Sequence, residues 1–186
     1  MVTTSARNAK FVLDQANASE WPWAPTPLLV AVMNPGTDES TKKVLILGVF
    51  LADPLAVANW LYYGIHEGVF MDTYLDYPSV VKHTESIGMV MHGWAIPNTD
   101  EARRILADLP EGFGPQDVPG ATPSRTVLMV DGTGSAVTFL NENEGEHGPY
   151  ELTDDVAIDG MVVDTVRVLS EAFAAAKNTQ PTGRTE

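Results

Sequence analysis

Uninterrupted apolar runs along the chain predict the buried strands of a sheet. The runs Leu28–Met33, Val44–Leu51 and Ile87–Ile96 are dominated by Val, Leu, Ile and Met. Apolar runs of this length, bounded by turn residues, are typical of buried strands. Asn34-Pro35-Gly36 opens the connection between the first two runs, so we expect these two strands to form an antiparallel hairpin with a long loop.

A second hairpin is predicted further along the chain. The short strands Thr126–Val130 and Ala136–Leu140 flank the turn sequence Asp131-Gly-Thr-Gly-Ser135, which is the strongest hairpin pattern in this sequence. Glu111–Ser124, with three prolines and three glycines, is expected to be a loop before it. Asn141–Tyr150 is expected to be a polar, acidic loop after it.

Helical periodicity is found in three segments. Ala6–Ala16 is expected to form a short helix, and Gly160–Lys177 a longer one. Between them, Asn98 and Glu101 predict a capping box at the start of a helix that ends before Pro110. The apolar stripe of the longest helix consists of Val162, Val166, Leu169 and Phe173.

The segment Val44–Ile65 is long and apolar enough to suggest a membrane span. Asp53 and Pro54 lie near its middle, where a charge costs about 2.5–3.5 kcal/mol and a proline disrupts a helix. Both residues fit better if a strand ends near Ala52, Asp53 caps a helix and Pro54 takes the first helical position. We therefore expect a chain that does not enter the membrane.

The predicted order of elements is helix, two strands, helix, strand, helix, hairpin and helix. This order favours an α+β fold with a mostly antiparallel sheet of about five strands covered by helices. No repeat or long linker divides the chain, so residues 1–177 are expected to form a single domain. Residues 178–186 are expected to be a polar tail.

Composition excludes several classes of function. The 186 residues include 11 basic and 25 acidic side chains, a net charge of −14, and no cysteine. Disulfide scaffolds, zinc–cysteine sites and thiol catalysis are therefore excluded, and direct nucleic-acid binding is not expected without clustered Lys and Arg. No cofactor is expected, because phosphate-loop, dinucleotide, nucleophile-elbow and zinc-protease motifs are all absent.

The N-terminus lacks a secretory apolar region, so a cytoplasmic protein is expected.

Three residues are weak candidates for proton-transfer chemistry. His66 and Glu67 follow Tyr62 and Tyr63 at helical spacing, and an imidazole beside a carboxylate is a plausible acid–base pair. The alternative is a helix end at which His66 interacts favourably with the helix dipole. His92 lies in an apolar strand, where a histidine is more often a hydrogen-bonded core residue.

The acidic region of the chain offers a weak candidate for a cation site. Nine acidic residues and no Lys or Arg lie between Thr126 and Val166. Glu144, Glu146 and His147 could ligate a hard cation, but the spacing of a calcium loop is not met. A solvated acidic surface is the alternative, and a surface complementary to a basic partner, or one that imitates nucleic-acid phosphates, is a third.

We therefore expect the function to depend on a surface that binds a partner more than on a catalytic motif. The leading hypothesis is a non-enzymatic interaction or regulatory module that associates with itself or with a protein partner. Trp21 and Trp23, on a proline-rich strap, and Trp60, on a helix that is apolar almost all round, are its expected contacts. The alternative is a small enzyme or ligand-sensing domain that uses His66, Glu67 and His92 in a pocket beside the sheet.

Overall fold

The apolar runs of the sequence become neighbouring strands of one antiparallel sheet with helices against both faces. The structure, a computed structural model, describes residues 3–18, 27–36, 38–49, 62–63, 77–131, 136–142, 150–152 and 161–179. Its strands are β1 (Leu28–Met33), β2 (Lys43–Val49), β3 (Thr84–Ala95), β4 (Thr122–Asp131), β5 (Ala136–Glu142) and β6 (Tyr150–Leu152). Its helices are α1 (Thr4–Ala18), α2 (Tyr77–His83), α3 (Asp100–Ala107) and α4 (Met161–Thr179).

The strand order in the sheet is β2-β1-β3-β4-β5-β6, and all neighbouring pairs are antiparallel. The two predicted hairpins are confirmed: β1 pairs with β2, and β4 pairs with β5. β3 pairs with the other side of β1 and with β4. The central strands β1, β3 and β4 therefore carry the cores on both faces of the sheet.

Alternate residues of the central strands face two separate cores. Leu29 and Met89 belong to the core under α2 and α4, whereas Val30 and Met129 belong to the core under α1. All four are fully buried. Because apolar side chains are required on both faces, these strands read as continuous apolar runs and not as an alternating pattern. The residues that α1 contributes to its core are Ala6, Ala9, Val12 and Leu13.

The predicted α+β class and antiparallel sheet are confirmed, as is the strand Leu28–Met33. The described part of the sheet also contains a sixth strand, β6, which the sequence did not predict. Its residues Tyr150–Leu152 pair with β5 beside the expected acidic loop. β4 begins at Thr122, inside the segment predicted to be a loop, because ladder bonds to β3 extend over the full strand.

One predicted helix cap is wrong by one residue. The N-cap of α3 is Thr99, whose hydroxyl accepts a hydrogen bond from the main-chain N–H of Ala102 at 3.1 Å. The expected cap, Asn98, instead accepts a hydrogen bond from the side chain of Arg103. Both residue types cap helices well, and here the extended backbone at Thr99 decides between them.

Parts of the sequence prediction lie outside the described residues. These are the tryptophan strap, the proposed cap at Asp53, most of the helix after it, and the C-terminal tail beyond residue 179. Tyr62 and Tyr63 of that helix are described, and their rings meet edge to face at 5.8 Å. Among the helices that the structure describes, none is long and apolar enough to span a bilayer.

Gly88, in the middle of β3, lies where the packing of the sheet leaves no space for a side chain. A methyl group there would collide with the sulfur of Met129 and the main-chain oxygen of Leu128. We expect Gly88→Ala to lower the free energy of unfolding by at least about 2 kcal/mol, measured by urea denaturation. Gly93, in the same strand, has no atom within 4 Å of the corresponding position. Gly93→Ala is the matched control and should change stability by less than about 0.5 kcal/mol; equal effects at both positions would contradict this packing.

Candidate functional site

The antiparallel register brings the start of β3 and the end of β4 to the same end of the sheet. Ser86 pairs with Asp131 of β4 on one side and with Val32 of β1 on the other. The first turn of α1 and the second half of α4 also reach this end, since Thr4 and Lys177 both lie beside it. Polar residues of β3, β4, α1 and α4 therefore meet at the end of the apolar core.

The centre of this region is a buried ammonium group. The side chain of Lys42 is only 2% exposed. Its Nζ atom lies 3.0 Å from Oδ1 of Asn8, 2.8 Å from Oε2 of Glu39 and 3.3 Å from Oε2 of Glu85. A lysine ammonium has three protons, and here three acceptors surround it. We call Asn8, Asn34, Lys42, Glu85 and Ser86 the Lys42 cluster.

Asn8 and Asn34 connect the cluster to α1 and β1. The amide of Asn8 donates to Oγ of Ser86 at 2.9 Å and to Oε2 of Glu85 at 3.4 Å. The amide of Asn34 donates to Oε1 of Glu85 at 3.1 Å. Both carboxylate oxygens of Glu85 therefore accept hydrogen bonds. Such a partly buried network of satisfied polar groups holds its members in one arrangement.

The same contacts keep Glu85 ionised. Burial raises the pKa of the Glu85 carboxyl, but the hydrogen bond from Asn34 and the charge and hydrogen bond of Lys42 outweigh it, so the pKa lies below its usual value of 4.5. The stability that this carboxylate contributes is therefore present above about pH 4.5 and is lost as the pH falls through the folded-state pKa.

A cavity of about 290 Å³ opens beside the cluster. We call it the Glu85–Asp131 pocket, after the two carboxylate residues in its wall. The hydroxyl residues Thr4 and Ser86 add polar surface, and Ile87 adds apolar surface. Its volume lies near the lower end of the range of small-molecule sites.

One face of α4 forms the opposite wall of the pocket. Ser170, Phe173, Ala174 and Lys177 all line it, and their spacing of three and four residues places them on one side of the helix. The hydroxyl of Ser170 donates to the main-chain oxygen of Asp131 at 3.0 Å, which fixes α4 against the end of β4. Lys177 lies two helical turns later, at the exposed end of this face.

His92 belongs to a different polar group on the α1 face of the sheet. Nε of Arg125 donates to Nε2 of His92 at 2.9 Å, and Nη1 of Arg125 donates to Oδ1 of Asn17 at 3.0 Å. Since Nε2 accepts, the imidazole in this arrangement is neutral, with its proton on Nδ1. Burial lowers the pKa of the Arg125 guanidinium below its usual value. His92 lies about 17 Å along β3 from Ile87, and it does not line the pocket.

The other predicted site residues lie outside the described residues. They are His66 and Glu67 of the proton-transfer pair, Trp21, Trp23 and Trp60 of the expected partner contacts, and Glu144, Glu146 and His147 of the cation candidate. Within the part of the chain that is described, no group of three or more His, Asp or Glu residues could hold a metal ion.

Sequence reasoning missed both the Lys42 cluster and the pocket. Asn8 lies one turn before Val12 on the buried face of α1, and a polar residue at such a position indicates a buried hydrogen bond. Lys42 precedes the apolar run of β2, and nothing in its sequence neighbourhood indicates that it is buried. The contacts themselves join residues 34 to 78 positions apart, which local spacing does not predict.

Comparisons of the chain with models of known protein families, with curated proteins and with solved structures find no match. Any assignment of function therefore rests on the geometry of the site.

Lys42 and its exposed neighbour Lys43 form a matched pair for testing the cluster. Lys42→Met should lower the free energy of unfolding by about 3 kcal/mol, because Glu85 then loses its counter-ion; this is the lower end of the usual cost, since Glu85 remains partly open to water. Lys43→Met should change it by less than about 0.5 kcal/mol. Urea denaturation of both variants checks this, and a Lys42→Met protein as stable as Lys43→Met would show that the ammonium is not structurally important.

Proposed function

We propose that the chain is a ligand-sensing domain that binds a small polar molecule in the Glu85–Asp131 pocket. The observation that carries the proposal is the cavity itself, with two carboxylates, several hydroxyls and an apolar wall at one end of the sheet. A concave site with a few fixed polar groups among apolar ones is the usual form of a small-molecule site. This proposal keeps the ligand-sensing alternative from the sequence but places it in a pocket that His92 does not line.

The contacts of the pocket residues favour binding over catalysis. Ser170 donates its hydroxyl proton to a main-chain carbonyl and not to a side-chain base, so it is not activated as a nucleophile in this arrangement. Glu85 is tied by hydrogen bonds to Asn34 and Asn8 and by an ion pair to Lys42, so its carboxylate is held in place as an acceptor. Fixed acceptors give orientation and selectivity to a bound molecule.

Filling the pocket tests the proposal. Ala174 lines the cavity, whereas the adjacent Ala175 is exposed and lies outside it. A library of small polar metabolites screened by thermal unfolding should contain a ligand that raises the melting temperature by about 5–10 °C near saturation. Ala174→Phe should abolish this shift, and Ala175→Phe should retain it. A shift that survives Ala174→Phe, or a library with no active member, would refute a ligand site in this pocket.

We also propose self-association, as the sequence led us to expect, with β2 as the described element that favours it. β2 is an edge strand of the sheet that the structure describes, and Ile46 on it is 46% exposed. An apolar strand at the edge of a sheet tends to pair with another chain. Trp21, Trp23 and Trp60 remain proposed contacts for such a copy or for a protein partner.

Sedimentation velocity over a range of concentrations tests self-association. The unmodified chain should show a concentration-dependent shift toward a dimer, and Ile46→Lys should weaken it by placing a charge on the edge strand. Val168→Lys is the control, because Val168 has a similar exposure of 47% on α4. A concentration-independent monomer would contradict the proposal, as would equal effects of the two substitutions.

A further inference from the structure

The hydroxyl groups in the wall of the Glu85–Asp131 pocket indicate which class of ligand it accepts. We infer that the pocket binds a neutral polyhydroxy compound the size of one sugar ring. The inference rests on the proposed function and adds the chemistry of the ligand to it. The hydroxyl residues of the described lining are Thr4, Thr84, Ser86 and Ser170. The bonds that they already make decide what each can offer to a ligand.

Two of these hydroxyls can accept a hydrogen bond from a ligand but cannot donate one in this arrangement. Oγ1 of Thr84 donates its proton to the main-chain oxygen of Val80 at 2.6 Å. Oγ of Ser170 donates its proton to the main-chain oxygen of Asp131 at 3.0 Å. A hydroxyl has one proton and two lone pairs, so both oxygens keep their capacity to accept. These two residues therefore favour a ligand that donates hydrogen bonds.

The other two hydroxyls retain a proton for a ligand. Oγ of Ser86 accepts a hydrogen bond from the amide of Asn8 at 2.9 Å, and Oγ1 of Thr4 accepts one from Nη2 of Arg7 at 3.3 Å. Since both hydroxyls act as acceptors in these bonds, the bonds do not use their protons. The wall thus combines donors with acceptors. Each hydroxyl of a polyol can both donate and accept, so a polyol can bond to both kinds of group.

The charged residues of the wall do not require a charged ligand. Glu85 already forms an ion pair with Lys42, whose Nζ atom lies 3.3 Å from its Oε2 atom, and Asp131 already has interactions within the chain. Lys177 lines the pocket but is exposed, and an ion pair with an exposed lysine contributes little. A charged ligand would lose its hydration without gaining a buried counter-ion of its own. These conditions favour a neutral ligand.

The apolar part of the wall and the volume set the size and shape of the ligand. Ile87, Phe173 and Ala174 also line the cavity. A sugar or cyclitol ring carries C–H groups as well as hydroxyls, and its C–H groups can pack against apolar and aromatic side chains. A volume of about 290 Å³ is near the lower end of the range of small-molecule sites. It suits one ring and not an oligosaccharide or a nucleotide.

Matched neutral and charged probes test the inference. Glucose is compared with glucosamine and glucuronate, and sorbitol with glucamine and gluconate, so each set varies the charge on one carbon skeleton. Pentoses, other hexoses and myo-inositol are measured alongside. Isothermal titration calorimetry on the full chain should find a neutral member that binds about tenfold or more tightly than its amino and carboxylate analogues. Millimolar concentrations avoid the general stabilisation by polyols that are excluded from protein surfaces.

Substitutions in the wall test the contacts. Thr84→Val removes one acceptor and should weaken binding of the neutral probe about fivefold. Thr126→Val should leave it unchanged, because Thr126 is a half-buried threonine of β4 outside the lining. Lys177→Gln removes the charge but keeps donors, so binding should change by less than about twofold. Because Lys177 is exposed, its variant keeps the test valid even if Thr84→Val fails to fold.

The outcomes separate the inference from the proposed function. If a charged molecule, or a neutral one without several hydroxyls, binds in a manner blocked by Ala174→Phe while no polyol binds, the inference is overturned and the ligand-sensing proposal stands. Charged analogues that bind as tightly as their neutral parent overturn the inference, as does a larger loss with Lys177→Gln than with Thr84→Val. If no molecule of any class binds, both proposals are overturned.

Discussion

The ammonium group of Lys42 holds together the end of the sheet where the pocket lies. It is almost fully buried between α1, the turn at Glu39 and the start of β3, and its acceptors come from all three. A charge in this position is tolerated only because Asn8, Glu39 and Glu85 surround it. Because the three acceptors share one ammonium group, replacing Lys42 would remove all three contacts at once.

The Lys42 cluster links the fold to the proposed site through Glu85. The carboxylate accepts hydrogen bonds on its cluster side from Asn8 and Asn34 and lines the cavity on the other. Its orientation is therefore set before any ligand arrives, which lowers the cost of ordering on binding. On the opposite wall, the bond from Ser170 to the main chain of Asp131 fixes α4 in the same way. Both walls are thus positioned by contacts that do not involve the ligand.

Local pattern predicted much of the fold and almost none of the site. The ends of the strand Leu28–Met33 are correct because turn residues and apolar content change sharply there, and the stripe on α4 follows helical spacing with Val166, Leu169 and Phe173 buried. Strand β6 is not predicted because its three residues are too few to show the alternation of apolar and polar positions that indicates a strand. Local pattern does not predict the Lys42 cluster or the pocket, because both depend on contacts between segments far apart in the sequence. Asn8 and Glu85, for example, are 77 positions apart.

A double-mutant cycle between Lys42 and Glu85 tests the central claim most directly. Free energies of unfolding are measured for Lys42→Met, Glu85→Gln and the double variant, with the exposed Lys10–Asp14 pair of α1 as the reference cycle. The account predicts a coupling energy of at least about 1.5 kcal/mol for the buried pair and no more than about 0.5 kcal/mol for the exposed one. Equal, small couplings in both cycles would contradict it, because Lys42 would then not hold the pocket wall in place.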